Sequence, residues 1–347
     1  MVCAVHTERL TRVYKVFIKK GYFMSARSLD SDFFYDLWKK LTAKKEVIYA
    51  LNNINIDIRK GEFVCLLGPN GSGKTTLLRI LAGLLMPSSG RVEVMGYDVV
   101  NERTQVLKVV SYIPSLLASS AWARPNLSLW ENMKRIARLL RIPTEDLVKA
   151  MVLLGLNDVK DMPFGALSTG QQARATIALG IVKGASVYLL DEPGMGLSPE
   201  VVRTFHTYIK ELNKKAGATV VYATHHPHIA EELANRVIIL YKGKIIADGN
   251  PEELIRKLGK EEIIESHIYG AWGNIVERLK KLDPLYLKVR QLRPEIGEYE
   301  IRMGVRSSRE TLPRLIDMLV QEGVKIYHIK IFKPSLEDVF IHLVEGR

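Results

Sequence analysis

A glycine-rich run near residue 70 has the composition and spacing of a phosphate-binding loop. It comprises Gly68, Pro69, Asn70, Gly71, Ser72, Gly73, Lys74, Thr75 and Thr76. Glycines let successive backbone N–H groups point at phosphate oxygens, and the positive end of the following helix faces the same oxygens. Lys74 adds a mobile charge, and the hydroxyl of Thr75 can bind Mg²⁺. We therefore predict a site for the β- and γ-phosphates of a nucleotide.

Two carboxylates end an apolar strand further along the chain. The run 187–190 precedes Asp191 and Glu192. An aspartate at such a strand end can hold Mg²⁺ through water, and the adjacent glutamate can orient and deprotonate an attacking water. Acidic pairs after apolar strands are common by themselves. A pair that follows a complete phosphate loop indicates hydrolysis of the nucleotide.

A third motif lies between the loop and the acidic pair. It contains Ser168, Thr169, Gly170 and Gln171, preceded by a leucine. With it the chain resembles the ATP-binding cassette (ABC) ATPases, whose signature is Leu-Ser-Gly-Gly-Gln; Thr169 replaces the third residue. The resemblance implies that these residues begin a helix that caps the γ-phosphate bound by an opposing subunit. ATP would then close a dimer, and hydrolysis would reopen it.

The resemblance assigns two further contacts with ATP. An aromatic residue upstream of the loop stacks on adenine in this family, and Tyr14 is the best match. A histidine after the strand that follows the acidic pair contacts the γ-phosphate. That residue is His225, chosen over His226 because it directly follows Thr224.

Two positions depart from the family pattern. Ser115 stands where the family has a glutamine that senses Mg²⁺ and relays the state of the site to the membrane subunit. Ser198 stands where it has an aspartate that links the two ATP sites. Because serine is shorter and uncharged, both contacts are weakened or pass through water. The hypothesis is retained catalysis with altered coupling, in a homodimer or an asymmetric pair.

The elements around these motifs predict an α/β fold, a P-loop NTPase of the ABC type. Apolar strands separated by helices indicate a mostly parallel sheet covered on both faces. Alternating isoleucines after residue 50 indicate an antiparallel N-terminal sheet, and the stretch from Trp130 to about Leu156 is predicted to be wholly helical. We expect residues 1–255 to form the ATPase domain, with a helical lobe at about 115–180.

Residues 256–347 are predicted to form a small α+β accessory domain. The pattern of elements is β-α-β-β-α-β, which is the ferredoxin-like arrangement. Ser335 and Asp338 have the spacing of a capping box for a last helix. The run 333–340 resembles the C-terminal extension of drug- and polysaccharide-type (type-2) exporters. That resemblance implies a separate permease chain, which would carry the transported molecule.

An inserted segment at about 20–46 interrupts the N-terminal sheet. Five apolar side chains share one helical face, and four lysines follow within or just after it. The face comprises Phe33, Phe34, Leu37, Trp38 and Leu41. The segment is either a helix packed on its own domain or an interfacial helix that meets lipid headgroups or a membrane partner.

Composition limits the remaining function classes. A chain of 347 residues favours two domains, and no apolar run is long enough to span a bilayer. The early charges do not form a signal peptide, and the two cysteines, Cys3 and Cys65, fit a reduced, cytoplasmic setting. The net charge of +12 fits a solvated basic exterior or an anionic membrane surface. We expect no nucleic-acid partner and a position on the inner face of the membrane.

Two alternatives to an exporter ATPase stay open. One is a soluble cassette ATPase acting on ribosomes or DNA, although such proteins usually carry two cassettes, a long coiled coil or iron–sulfur cysteines. The other is a weakly hydrolysing regulatory partner in an asymmetric cassette pair, as the serines at 115 and 198 suggest. ATP and Mg²⁺ are the expected cofactors. The transported molecule is not encoded here, because permease residues would select it.

Overall fold

The computed structural model describes residues 3–19, 22–23, 44–115, 122–257, 262–270 and 275–345. The predicted helical face at 33–41 lies outside the described residues. The chain divides into two compact units. The first comprises residues 1–225 and 240–245, and the second comprises residues 226–239 and 246–347. The domain boundary at residue 255 stays a prediction.

A parallel sheet forms the centre of the first unit. Its strands are β4 (Phe63–Leu67), β7 (Val110–Ile113), β8 (Val187–Asp191) and β9 (Thr219–Thr224), in the order β4-β9-β8-β7. Every residue of β4, β8 and β9 is buried, as the continuous apolar runs predicted. Because all four strands are parallel, their carboxyl ends meet at one edge.

An antiparallel sheet is formed by the N-terminal strands. It contains β1 (Cys3–Lys19), β2 (Tyr22–Phe23), β3 (Lys44–Arg59), β5 (Ser89–Val94) and β6 (Tyr97–Asp98). Strand β1 pairs with β2, β3 and β5. The alternating side chains of Ile54, Ile56 and Ile58 are buried, which confirms the predicted half-buried strand. Strands β10 (Arg236–Tyr241) and β11 (Lys244–Gly249) come later in the chain. Residues 240–245, where β10 ends and β11 begins, belong to the first unit.

Six helices accompany these sheets in the part of the chain that the structure describes. They are α1 (Lys74–Leu81), α2 (Arg103–Val109), α3 (Leu129–Leu140), α4 (Thr144–Leu153), α5 (Thr169–Ile181) and α6 (Pro199–Ala216). The stretch from Trp130 to about Leu156, predicted to be wholly helical, is helical except at residues 141–143 and after Leu153. Helix α3 ends at Arg141 in the left-handed conformation (φ 57°), and Pro143, which has no backbone N–H, precedes α4.

The second unit contains helices α7 (Pro227–Leu233) and α8 (Pro251–Arg256) and the accessory sheet. The sheet strands are β12 (Glu262–Tyr269), β13 (Tyr286–Arg293), β14 (Glu298–Val305) and β15 (Lys325–Phe332). Helices α9 (Ile275–Lys280) and α10 (Ser308–Gln321) connect them, and α11 (Leu336–Glu345) follows. The antiparallel order β13-β14-β12-β15 confirms the ferredoxin-like arrangement. Apolar side chains of α9 and α10 cover one face of the sheet.

Helix α11 is fixed by a buried carboxylate at its start. Asp338 accepts hydrogen bonds from the backbone N–H of Ser335 (2.8 Å), from its hydroxyl (2.7 Å) and from both Nε (2.8 Å) and Nη2 (2.9 Å) of Arg302. The hydroxyl of Tyr286 also donates to it. The capping box predicted for Ser335 and Asp338 is therefore half formed. The carboxylate accepts from the backbone N–H of Ser335, but the Ser335 hydroxyl donates to the carboxylate and does not cap the helix.

Candidate active site

The glycine-rich loop lies between β4 and α1, as predicted. Gly73 has φ 111°, and a Cβ there would lie 2.4 Å from the carbonyl oxygen of Ala50, so only glycine fits. The loop and its surroundings enclose a cavity of about 460 Å³. It is lined by Ile48, Tyr49, Ala50, Asn70, Gly71, Ser72, Gly73, Lys74, Thr75, Thr76, Glu192 and Lys242. Gly68 and Pro69 belong to the same loop and contact the lysine side chain.

The side chain of Lys74 is buried beneath the loop. Its Nζ donates to the carbonyl oxygens of Gly68 (2.7 Å) and Pro69 (3.2 Å) and lies 3.7 Å from Oε1 of Glu192. Burial lowers the pKa of Lys74, although Glu192 and Asp191 oppose that shift. The ammonium group of Lys74 can exchange its hydrogen bonds to these carbonyl oxygens for bonds to an anion. It is therefore suited to binding an anion at the loop.

Asp191 ends β8 as a buried carboxylate. It accepts hydrogen bonds from the Thr75 hydroxyl at Oδ1 (3.0 Å) and from the Tyr112 hydroxyl at Oδ2 (3.1 Å). Burial raises the pKa of Asp191, and those two hydrogen bonds act against the shift. Burial, with the nearby Asp191 charge, raises the pKa of Tyr112 to about 12. The oxygens of Thr75 and Asp191 form a pair of hard donors that fits Mg²⁺.

Tyr112 was not predicted as a site residue. It lies on β7, which pairs in register with β8 so that Tyr112 is opposite Leu189, two residues before Asp191. Its hydroxyl also contacts Arg79 of α1. The sequence signal was an aromatic residue with a polar tip near the end of a short, mostly buried strand.

Glu192 and His225 meet where β8 and β9 end. Nδ1 of His225 lies 2.8 Å from Oε1 of Glu192. Glu192 adopts the left-handed conformation (φ 49°), which costs a non-glycine residue about 1 kcal/mol or more. Asp191 and Ala223 are register partners, and the backbone N–H of Glu192 donates to the Ala223 carbonyl (3.1 Å). The strained backbone thus turns the carboxylate toward Lys74 and the loop.

The signature motif begins α5 through a complete capping box. The hydroxyl of Ser168 accepts from the backbone N–H of Gln171 (3.2 Å), and Oε1 of Gln171 accepts from the N–H of Ser168 (2.8 Å). Thr169 is exposed and Gly170 is half-buried. Among the residues that the structure describes, none of these four lines the cavity of the phosphate loop. The positive end of α5 is therefore accessible to a group outside this chain.

The two serines that depart from the family pattern each lie at the end of a secondary-structure element. Ser115 follows β7 and is half-buried. Ser198 is exposed at the N-cap of α6, and its side chain makes no capping hydrogen bond. Neither residue lines the cavity within the described parts of the chain.

Tyr14 lies apart from the cavity lining. Its ring is 38% exposed and packs under the guanidinium of Arg12, 4.8 Å from the ring centre. Its register partner on β3 is Ile48, and the next residue, Tyr49, lines the cavity and is 52% exposed. Tyr49 is a candidate aromatic contact that the sequence reasoning missed, although it is the tyrosine nearest before the loop.

The loop, the acidic edge and the parallel sheet define a P-loop nucleotide-binding cassette. The ABC transporter family profile matches residues 51–194, and that of the DrrA1-3-like ATP-binding protein C-terminal domain matches residues 249–344. The chain belongs to the family of ABC transporter ATP-binding proteins, since it is 33% identical over 304 residues to the uncharacterised ABC transporter ATP-binding protein YdbJ of Bacillus subtilis (strain 168). That match covers 87% of this chain and 92% of YdbJ.

Other relatives are similar over shorter spans. The Fe(3+) ions import ATP-binding protein FbpC of Vibrio cholerae is 30% identical, with 76% of each chain covered. Among solved structures, the ATP-binding cassette MJ0796 in a dimeric post-hydrolysis state has a TM-score of 0.57 at 24% identity, covering 71% of this chain and 98% of that one. That similarity shows the fold. None of the helices described here is long and apolar enough to cross a membrane.

Proposed function

We propose that this chain is the ATP-hydrolysing subunit of an ABC exporter. It drives a separate membrane permease through ATP-dependent closure of a cassette dimer at the inner face of the membrane. The observation that carries the proposal is the convergence of Lys74, Thr75, Asp191, Glu192 and His225 on the phosphate loop. These side chains come from three separate segments of the chain.

Each catalytic step is assigned to a side chain. The loop N–H groups and Nζ of Lys74 hold the phosphates, as Nζ exchanges its carbonyl contacts for phosphate oxygens. Thr75 and Asp191 would hold Mg²⁺, which when bound would neutralise charge on the phosphates. Glu192 orients a water and takes its proton, while His225 fixes the carboxylate at 2.8 Å.

A second cassette completes the site. Ser168 and its neighbours offer the positive end of α5 away from this chain's own cavity, which supports their binding the γ-phosphate of a partner's ATP. The dimeric state named for MJ0796 supports the same arrangement. The partner is a second copy of this chain or another cassette subunit.

Substitution of Glu192 by glutamine tests the proposed hydrolysis. The amide keeps the shape and hydrogen-bonding reach but cannot take a proton. We expect turnover to fall by roughly 10²–10⁴ while ATP binding is retained. Phosphate release and binding of a fluorescent ATP analogue give the two readouts, and Glu200→Gln, an exposed position on α6, is the matched control. A variant that hydrolyses ATP within tenfold of the wild type would refute the role of Glu192.

The departures at Ser115 and Ser198 support a second candidate, a regulatory cassette that hydrolyses weakly beside an active partner. The same experiment separates the two. If the wild type binds ATP but has no turnover to lose, the regulatory function is favoured.

The direction of transport rests on the accessory domain. The match to a DrrA1-3-like C-terminal domain supports the exporter type, whereas relatives such as FbpC are import proteins. In inside-out vesicles containing this chain and its permease, we expect ATP to drive accumulation of a fluorescent lipophilic drug. ATP-driven release of the compound from preloaded vesicles would contradict the exporter assignment.

A further inference from the structure

We propose that the accessory sheet carries a binding site for a first-row transition metal, separate from the nucleotide site. Its ligands are Glu265 and His267 on β12 and Glu300 on β14, with His328 on β15 as the fourth. No part of the proposed ATPase mechanism uses these residues. The site lies on the face of the sheet opposite the one covered by α9 and α10.

Strand register brings the four side chains together. Residues 265 and 267 alternate on one face of β12, where Ile264, Ser266 and Ile268 point to the buried face. His267 is paired with Glu300 on one side and with His328 on the other. Side chains directly opposite each other on neighbouring strands have Cβ atoms roughly 4.5–5.5 Å apart. His267 is therefore the centre of a cross-strand row.

The distances fit a site that closes around an ion. One donor atom from each of Glu265, His267 and Glu300 lies within 4.8 Å of the other two, and all three residues are half-buried. Nε2 of His267 is 3.7 Å from Oε1 of Glu300, and the rings of His267 and His328 are 6.0 Å apart at 87°. Ligand bonds of roughly 2.1 Å place tetrahedral donors roughly 3.4 Å apart. Small side-chain rotations would bring Glu265, His267 and Glu300 to that spacing, whereas the exposed His328 would have to turn further toward the ion.

The donor set selects the class of metal. Imidazole with carboxylate suits Zn²⁺, Co²⁺ or Ni²⁺, whereas Mg²⁺ and Ca²⁺ prefer oxygen ligands alone. Two carboxylates and two neutral imidazoles would balance the charge of one divalent ion. The Mg²⁺ that accompanies ATP is thus a poor occupant, and a separate metal would be needed.

Neighbouring cations offer the competing explanation. Nη1 of Arg302 lies 3.7 Å from Glu265, but that guanidinium makes its shorter bonds, 2.8 and 2.9 Å, to Asp338. Arg290 is opposite Glu300, and Lys330 is opposite Glu265. If these cations alone neutralise the carboxylates, the sheet will not bind a metal. The experiment decides between the two.

Co²⁺ is the probe, added to the full-length protein after removal of any histidine tag. We expect one equivalent to give visible d–d absorption that Zn²⁺ abolishes, and Zn²⁺ affinity is then measured against a chromogenic chelator. His267→Gln and Glu300→Gln each remove a direct ligand and should weaken Zn²⁺ binding by at least about 100-fold, since loss of an outer-shell partner alone costs roughly 10–100-fold. Glu298→Gln is the matched control, because it makes the same charge change one position along the same face, opposite Tyr269.

A second group of donors must be separated from this site. In the first unit, Oδ1 of Asp57 lies 3.9 Å from the Cys3 sulfur and 2.6 Å from Nδ1 of His6. Metal bound there would give a strong near-ultraviolet thiolate charge-transfer band and would be lost in Cys3→Ser. Binding that follows Cys3, binding unchanged in His267→Gln, or no stoichiometric binding overturns the proposal. ATP hydrolysis and circular dichroism report whether each variant is folded.

Discussion

Asp338 offers a prediction about what holds the accessory unit together. Its carboxylate is completely buried and accepts hydrogen bonds from Ser335, Arg302 and Tyr286. These groups come from the start of α11 and from two strands of the sheet. Asp338→Asn keeps the shape but replaces one acceptor oxygen with an NH₂ group and removes the charge opposite Arg302.

The cost follows from the burial of the pair. Breaking a buried ion pair costs roughly 3–5 kcal/mol. The lower end applies, because Arg302 retains Glu337 at 3.5 Å and Glu265 at 3.7 Å. We therefore expect the free energy of unfolding of this unit to fall by about 3 kcal/mol. At roughly 4–8 °C per kcal/mol, its Tm would fall by roughly 12–24 °C.

The pH dependence has a definite sign. Burial alone would raise the pKa of Asp338, but hydrogen bonds from Arg302, Tyr286 and Ser335 outweigh it and hold that pKa below its usual range. The folded state therefore binds fewer protons than the unfolded state near pH 4. The stabilisation is complete above the ordinary aspartate pKa of about 3.9 and is lost as the pH falls through the native pKa.

Thermal unfolding of the wild type and Asp338→Asn at several pH values measures both effects. The variant should lack the part of the acid-induced loss that Asp338 contributes. Asp317→Asn, at an exposed position on α10, controls for removal of a carboxylate and should change the unfolding free energy by less than about 0.5 kcal/mol. A Tm for Asp338→Asn equal to that of the control would refute the reasoning.

Two further predictions concern the nucleotide site. Tyr112→Phe removes a hydrogen bond of 3.1 Å to Asp191, worth roughly 1.5–3 kcal/mol, so half-maximal hydrolysis should need at least about tenfold more Mg²⁺. An unchanged Mg²⁺ titration would exclude that role. Tyr49→Ala should weaken ATP binding roughly 5- to 100-fold if its ring stacks on adenine, with Tyr14→Ala as the comparison. If Tyr14→Ala loses more affinity for ATP than Tyr49→Ala, Tyr14 would be the adenine contact, as the family resemblance implies.

The sequence predicted the features that depend on the spacing of nearby residues or on the sequence of secondary-structure elements. The phosphate loop needs glycines at fixed offsets, as Gly73 shows, since a Cβ there would lie 2.4 Å from a backbone oxygen. The meeting of Glu192 with His225 followed from parallel strands that end at one edge. The order of the accessory strands followed from the β-α-β-β-α-β pattern, because few topologies connect such elements without crossing.

Features that depend on pairing between distant strands were missed. The register of β1 with β3 has several irregularities and spans the inserted segment, so the position of Tyr49 at the cavity could not be counted from the sequence. The contact of Tyr112 with Asp191 needs both the β7–β8 register and a side-chain rotamer. Neither is encoded in a periodic pattern.

The end of β7 bears on the proposed Mg²⁺ site at Thr75 and Asp191. It also bears on how the state of that site would be communicated to the permease. Ser115 has too short a side chain to replace the family's glutamine as a ligand, but Tyr112, three residues earlier, already contacts the metal-binding carboxylate. Arg79 of α1 also interacts with the Tyr112 side chain, so α1 and β7 are in contact without residue 115. We therefore expect loss of the glutamine to affect communication with the permease more than hydrolysis. Ser115→Ala should accordingly leave turnover of the isolated cassette within about twofold of the wild type, whereas Tyr112→Phe should not.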